Sequence, residues 1–129
     1  MERRLIASGS PYEDEYGFSR AIRVGDRVIV SGTAPIEPDG SSAADAETQA
    51  GRCFAIITTA LGAAGASPAD VVRTRMFITD AADAAAVGRA HAAAFGAARP
   101  AATMVVVAGL LDPRWKVEIE AEAVVPPPP

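Results

Sequence analysis

One cysteine and one histidine are all that this 129-residue chain holds of the side chains most used in thiol and zinc chemistry. Cys53 has no second thiol with which to close an internal disulfide, and Cys53 with His91 makes no zinc set. The sequence therefore points to no metal and no cofactor. Cys53 lies in a helical pattern between Arg52 and Phe54, where a free thiol reads as buried and inert. Aromatic residues are scarce as well, at 5%. The hydrophobic half of the composition is carried largely by alanine. The expected core is one of aliphatic side chains on closely approaching backbones, finished against a partner subunit.

Positive charge is in short supply. Lys and Arg number 12 against 16 Asp and Glu, a net charge of −4, and the arginines are scattered. A nucleic-acid backbone demands clustered cations, so nucleic acid is not an expected partner. No apolar run approaches the roughly 20 residues that cross a bilayer, and the opening MERRLIASGS has no signal-peptide apolar stretch. No membrane partner and a cytoplasmic location are the expectations.

What the chain does have is regular alternation. Residues 3–7, RRLIA, read as a strand, and Ser8 to Gly17 read as a loop from their Gly, Pro and Ser content. Ser19 to Val24 and Arg27 to Thr33 predict a hairpin around Gly25-Asp26. After the loop PIEPDGSS, apolar residues recur at Ala50, Phe54, Ile57, Leu61 and Ala64, which predicts a helix over Asp45 to Ala64 with Gly65 at its end. Val71 to Thr79 alternates as a strand that puts Arg73, Arg75 and Phe77 on one face. Ala82 to Phe95 reads as a second helix through Val87, Ala90 and Ala94.

Arg99 to Val125 holds two further strand-like runs, with Asp112-Pro113 as the turn between them. In the second run Glu118, Glu120 and Glu122 line one face while Val117, Ile119, Ala121 and Ala123 line the other. The predicted order is β-β-β-α-β-α-β-β, an α+β fold in which two helices pack on one face of a mixed sheet. The opposite face, charged with both signs, suits a subunit interface with polar pockets. One domain is expected over residues 1–125, with 126–129 as a proline tail that lacks amide donors for a sheet. His91, one turn beyond Val87, reads as a helix-surface or boundary residue, with a general base across an interface as the other reading. Tyr12, Tyr16 and Trp115 fall in predicted loops and read as packing residues.

Four segments together resemble the RidA/YjgF family: FSRAIRVGDRVIVSG from Phe18, ALGAAGASPADVVRTRMFITD from Ala60, VGRAHAAAFG from Val87, and RPAATMVVVAGLLDPRWKVEIEAEAV from Arg99. The resemblance runs from about Leu5 to Val125. It implies a chorismate-mutase-like fold, a homotrimer with its sheets packed inward, and small-molecule clefts between subunits. Members with deaminase activity hydrolyse 2-imino acids to 2-keto acids and ammonia. That chemistry needs a cation for the substrate carboxylate, best an Arg with two parallel hydrogen bonds. It needs a carboxylate to activate water and backbone amides to orient the substrate.

By this resemblance Glu118 is the water-activating glutamate, and Gly32 and the amide of Met104 are the backbone donors. The family's Pro-Ala-Arg-Ser/Thr becomes Pro100-Ala101-Ala102-Thr103, so the carboxylate-clamping Arg is replaced by Ala102 while Thr103 is kept. Phe18 stands where the family has a tyrosine, and Gly88 where it often has Asn. Arg20 replaces a polar Gln, and either Arg20 or Arg75 is a candidate substitute cation, or else a partner of Glu118 or Glu120. The resemblance thus implies an imine or enamine hydrolase of altered specificity, or a non-catalytic small-molecule-binding trimer. Ribonuclease activity, also attached to the family, fits poorly with the acidic charge and the lack of a His pair.

Overall fold

The computed structural model describes residues 2–128. Six strands form one mixed sheet in the order β1-β2-β3-β6-β4-β5. They are β1 (Arg3–Ile6), β2 (Ala21–Val24), β3 (Arg27–Thr33), β4 (Val71–Ile78), β5 (Ala101–Val106) and β6 (Val117–Val124). Every neighbouring pair is antiparallel except β4 and β5, which run parallel because α3 (Ala84–Phe95) crosses over between them. The two-residue Gly25-Asp26 turn joins β2 to β3, with Gly25 at φ 62 where an L side chain would be strained.

The core lies on one face of this sheet. Val28, Val30, Met76, Ile78, Val117, Ile119, Ala121 and Ala123 are buried there, at every second position of their strands as the alternation predicts. The long helix α2 (Ala46–Ala63) packs on β3 and β6 through Ala50, Cys53, Phe54, Ile57 and Leu61, and α3 packs on α2. Alanines at 50, 60, 121 and 123 let the helix approach the sheet closely, which accounts for a core with few aromatics. Asp45 caps α2 by accepting from the Thr48 amide at 2.9 Å. Buried Gln49 is satisfied on all sides: its amide donates to the carbonyls of Ala43 and Arg114, and its oxygen accepts from the Lys116 amide. It thereby fixes the approach to β6.

One expectation is corrected. Ser8 to Gly17 is not simply a loop, because Pro11–Tyr16 forms a short helix, α1, so three helices accompany the sheet. The residues read as loop signals are its caps. Ser10 accepts from the Tyr12 amide, Pro11 occupies the first turn where no amide donor is needed, and Gly17 ends the helix in the left-handed region at φ 74. Pro126 to Pro128 lie beyond the last strand, and Pro129 lies outside the described residues.

Candidate functional site

The outer face of the sheet carries the acidic stripe. On β6, Glu118, Glu120 and Glu122 stand opposite Phe77, Arg75 and Arg73 of β4. Arg75 Nη1 lies 3.0 Å from Glu120 Oε1 and 3.6 Å from Glu122 Oε1, and Arg27 reaches Glu122 from β3 at 3.2 Å. Arg75 is therefore committed to the glutamates further along β6 and does not stand beside Glu118. A shallow depression of about 140 Å³ overlies this ladder, bounded by Ile29, Ser31, Arg73, Arg75, Glu120 and Glu122.

Glu118 has a different setting. The pairing of β3 with β6 slips between Val30 and Thr33, a bulge that turns Gly32 toward the Glu118 side chain. A Cβ on residue 32 would fall 2.6 Å from Glu118 Oε2. Glycine is thus the residue that lets the carboxylate rest on the strand. Burial pushes the Glu118 carboxyl up from its usual range; Arg20 opposes that rise and Glu120 adds to it.

Arg20 enters from the segment before β2. Its backbone is pinned by the Arg20 amide donating to Ile6 and by the Ser31 amide donating to Arg20. Its Nη2 donates to the Gly32 carbonyl at 3.0 Å, and its guanidinium carbon lies 5.8 Å from the Phe18 ring centroid. Arg20 Nε is buried without a protein acceptor. Burial lowers the Arg20 pKa, opposed by the negative charges of Glu13 and then Glu118.

Glu13 is the functional neighbour that sequence reasoning missed. It is 6% exposed, the sole buried charged residue among those described. Its carboxylate accepts from both the amide and the hydroxyl of Ser8, and its carbonyl accepts from the amides of Gly17 and Phe18. One residue therefore ties the start and end of the β1–β2 connection and places Phe18 and Arg20. The Ser10-x-x-Glu13 spacing, a helix-start signature, was the available signal.

The other expected site residues lie elsewhere in the chain. Ala102, Thr103 and Met104 are on β5, in register with Thr74, Arg75 and Met76, with the whole of β4 between them and Glu118. Two strand spacings separate them, roughly 10 Å. Gly88 is on α3, on the helical side of the sheet, with no atom within 4 Å of where a Cβ would point. A single subunit thus brings Phe18, Arg20, Gly32 and Glu118 together and leaves Ala102, Thr103, Met104 and Gly88 apart. His91 serves packing: its Nε2 and Thr74 Oγ1 are 2.8 Å apart, and its ring meets Phe54 and Phe95 edge-on. Burial lowers its pKa. Cys53 is fully buried with its thiol pushed up to about 12, mainly by desolvation, as expected of an inert thiol. Tyr12 and Tyr16 stack on the exposed side of α1 at 5.9 Å. No group of three or more metal-ligating side chains occurs among the described residues, and no helix there is long and apolar enough to cross a membrane.

Residues 10–125 match the family model described as Endoribonuclease L-PSP. Protein SCO2049 of Streptomyces coelicolor is 40% identical over 121 residues, covering 93% of this chain and 90% of its own. The 2-iminobutanoate/2-iminopropanoate deaminase of Salmonella typhimurium is 36% identical over 83% of this chain and 86% of its own. Among solved structures, Rv2704 of Mycobacterium tuberculosis, a member of the YjgF/YER057c/UK114 family, superposes with a TM-score of 0.89 at 44% identity, covering 96% of this chain and all of that one. The YjgF gene product of Escherichia coli superposes with a TM-score of 0.80 at 32% identity, covering 93% and 92%. The chain belongs to the RidA/YjgF family and has its fold.

Proposed function

We propose that this protein is an imine or enamine hydrolase of altered specificity, working on a small reactive metabolite in clefts between the subunits of a cytoplasmic homotrimer, with residues 1–125 as the functional unit. In this reading Glu118 takes a proton from water as its oxygen bonds to the imine carbon. The C=N π electrons pass to nitrogen, Glu118 delivers the water proton to that nitrogen, and the carbinolamine collapses as its hydroxyl proton follows, the C–N bond breaking to release ammonia and leave a carbonyl. Gly32 admits the carboxylate, Phe18 and Arg20 wall the same pocket, and Thr103 with the Met104 amide reaches it from a neighbouring copy. Gly88 would leave open space at its rim from that same neighbouring copy.

The observation that carries this reading is the carboxylate of Glu118, half-buried above Gly32 with its pKa raised, a setting suited to a general base near neutral pH. A trimer is supported by the apolar residues that β5 and its following loop expose in one subunit: Val105, Val106 and Leu111, the last 97% exposed. His91, held by Thr74 and packed edge-on against Phe54 and Phe95, argues against a nuclease reading.

The alternative is a ligand-binding trimer without catalysis, favoured by alanine at position 102. Both readings meet one experiment. 2-Iminobutanoate is generated in situ and its hydrolysis followed with native protein, Ala102→Arg and Glu118→Ala. The hydrolase reading expects little acceleration of this acid by native protein, a gain of at least tenfold in Ala102→Arg, and loss of that gain when Glu118→Ala is added. An Ala102→Arg variant as inactive as native protein toward every imine offered would favour binding alone.

A further inference from the structure

Arg20 and Glu118 carry opposite charges against the same glycine without pairing with each other. Glu118 Oε2 lies 2.6 Å from where a Cβ of residue 32 would stand, and Arg20 Nη2 donates to the Gly32 carbonyl at 3.0 Å. Spanning one residue, these two contacts leave at most roughly 9 Å between that carboxylate oxygen and Nη2. No ion pair joins Arg20 to Glu118 or Glu13 among the described residues. A gap wider than an ion pair and no wider than a small metabolite lies between the two groups. The guanidinium also has a donor to spare. Only Nη2 has a protein acceptor; Nε is buried without one, and Nη1 has none among the described residues and is open to solvent. The other arginines of this sheet face are engaged or distant. Arg75 and Arg27 pair with Glu120 and Glu122, and Arg73 stands opposite Glu122. Arg3 and Arg27 lie at the Gly25 end of their strands, Arg27 five residues from Gly32, which is roughly 17 Å.

We propose, resting on the hydrolase reading above, that Arg20 binds substrate: its Nη1 holds a carboxylate at the far end of a substituent on the imine carbon. The imine carbon stands over the water on Glu118, and a carboxylate three bonds further on, roughly 4 Å away, meets Nη1 across the gap. The two intervening methylenes run along the Phe18 ring, which is 40% exposed and whose centroid lies 5.8 Å from the guanidinium carbon. Arg20 is held ready for this contact before substrate arrives. Its amide donates to Ile6, its carbonyl accepts from the Ser31 amide, and Nη2 is anchored on Gly32, so little ordering is left for binding to impose. The distal carboxylate takes no part in bond making. It anchors the substrate while water adds to the imine carbon, the C–N bond breaks and ammonia leaves.

The test reads the distal carboxylate alone and keeps binding apart from turnover. 2-Oxoglutarate and 2-oxopentanoate, which differ only in a carboxylate against a methyl group at the far end, are titrated calorimetrically into the full-length protein. In parallel, hydrolysis is followed for 2-iminoglutarate and 2-iminopentanoate, each released from its amino acid by a flavin amino-acid oxidase. The native protein is expected to bind 2-oxoglutarate at least tenfold more tightly than 2-oxopentanoate and to hydrolyse 2-iminoglutarate at least tenfold faster in kcat/KM. Arg20→Gln is expected to bring both ratios to within twofold of one, and Arg20→Lys, which keeps the charge, to retain part of each. Equal binding of the two keto acids by native protein, no binding of either, or a preference that survives in folded Arg20→Gln overturns the assignment of Arg20. The expected binding preference with neither imine hydrolysed sinks the hydrolase reading and leaves the carboxylate site standing.

Discussion

The carboxylate of Glu118 rests directly on the backbone of Gly32, so close that even one methyl group on residue 32 would fall 2.6 Å from Oε2. Two strands meet at a bulge there, and the contact is a backbone feature serving a side chain. Gly32→Ala is expected to push Glu118 off the strand. The cost in stability should be that of mild overpacking, about 1–3 kcal/mol by urea denaturation. Any hydrolytic activity should fall far more, at least thirtyfold in kcat. Equal and small effects on both would show that Glu118 tolerates displacement.

Glu13 offers a second check, because its carboxylate is buried and accepts two hydrogen bonds from Ser8. Replacing it with alanine leaves the Ser8 donors unmet and loosens the segment that carries Phe18 and Arg20. A loss of about 1.5–3 kcal/mol is expected in chemical unfolding, the range for hydrogen bonds to a charged group. Glu13→Gln, which keeps one acceptor, should recover part of it. A Glu13→Ala protein as stable as the native one would remove Glu13 from this account.

The acid at Glu118 has a worked-out sign. Its folded pKa is raised, chiefly by burial, so the ionised form is penalised on folding. Arg20 opposes this rise, Glu120 adds to it, and Phe77 faces it from β4 without charge. The penalty is in force above the folded pKa and fades as the pH falls through that value toward the ordinary carboxylate range. Glu118→Gln is therefore expected to be more stable than native protein at pH 7–8, with the difference shrinking under mild acid. In native protein kcat/KM should rise with pH through a midpoint above the usual carboxylate range, since a general base must be deprotonated. A Gln variant less stable than native at every pH would reverse the sign.

His91 is expected to matter for stability and not for turnover. His91→Phe keeps the edge-on contacts with Phe54 and Phe95 but strands the buried Thr74 hydroxyl, at a cost of about 1–3 kcal/mol. Rates per folded molecule should stay within twofold of native. A large fall in kcat in a folded variant would return His91 to the chemistry.

Cys53 tests the packing of α2 on the sheet. With its thiol fully buried and pushed up to about 12, iodoacetamide should label the native protein negligibly at pH 8 and react readily in urea. Rapid labelling of the folded protein would mean that this part of the core opens.

Much of this architecture was readable because alternation and helical spacing are strong signals. Val117, Ile119, Ala121 and Ala123 point to one face of β6 and the three glutamates to the other, as the bare sequence implies. The α1 helix was harder to read, since Ser10, Pro11 and Gly17 are both loop signals and caps, and the Ser10-x-x-Glu13 spacing was the one cue that favoured a helix start. The choice between Arg20 and Arg75 was also out of reach. It depends on register: Arg75 meets Glu120 across β4 and β6, and Arg20 meets Gly32 of β3 from the segment that leads into the neighbouring strand β2. In the proposed trimer the position of Ala102 relative to Glu118 would be set by another copy of the chain, which periodicity in one sequence does not describe.

The central claim is that Glu118 activates water, and its most direct test is the rate of imine hydrolysis by Glu118→Gln compared with native protein, at equal concentration of folded protein and pH 7.5. The account predicts a fall of about a hundredfold or more, the usual cost of losing a general base. A variant that hydrolyses within threefold of native would contradict it.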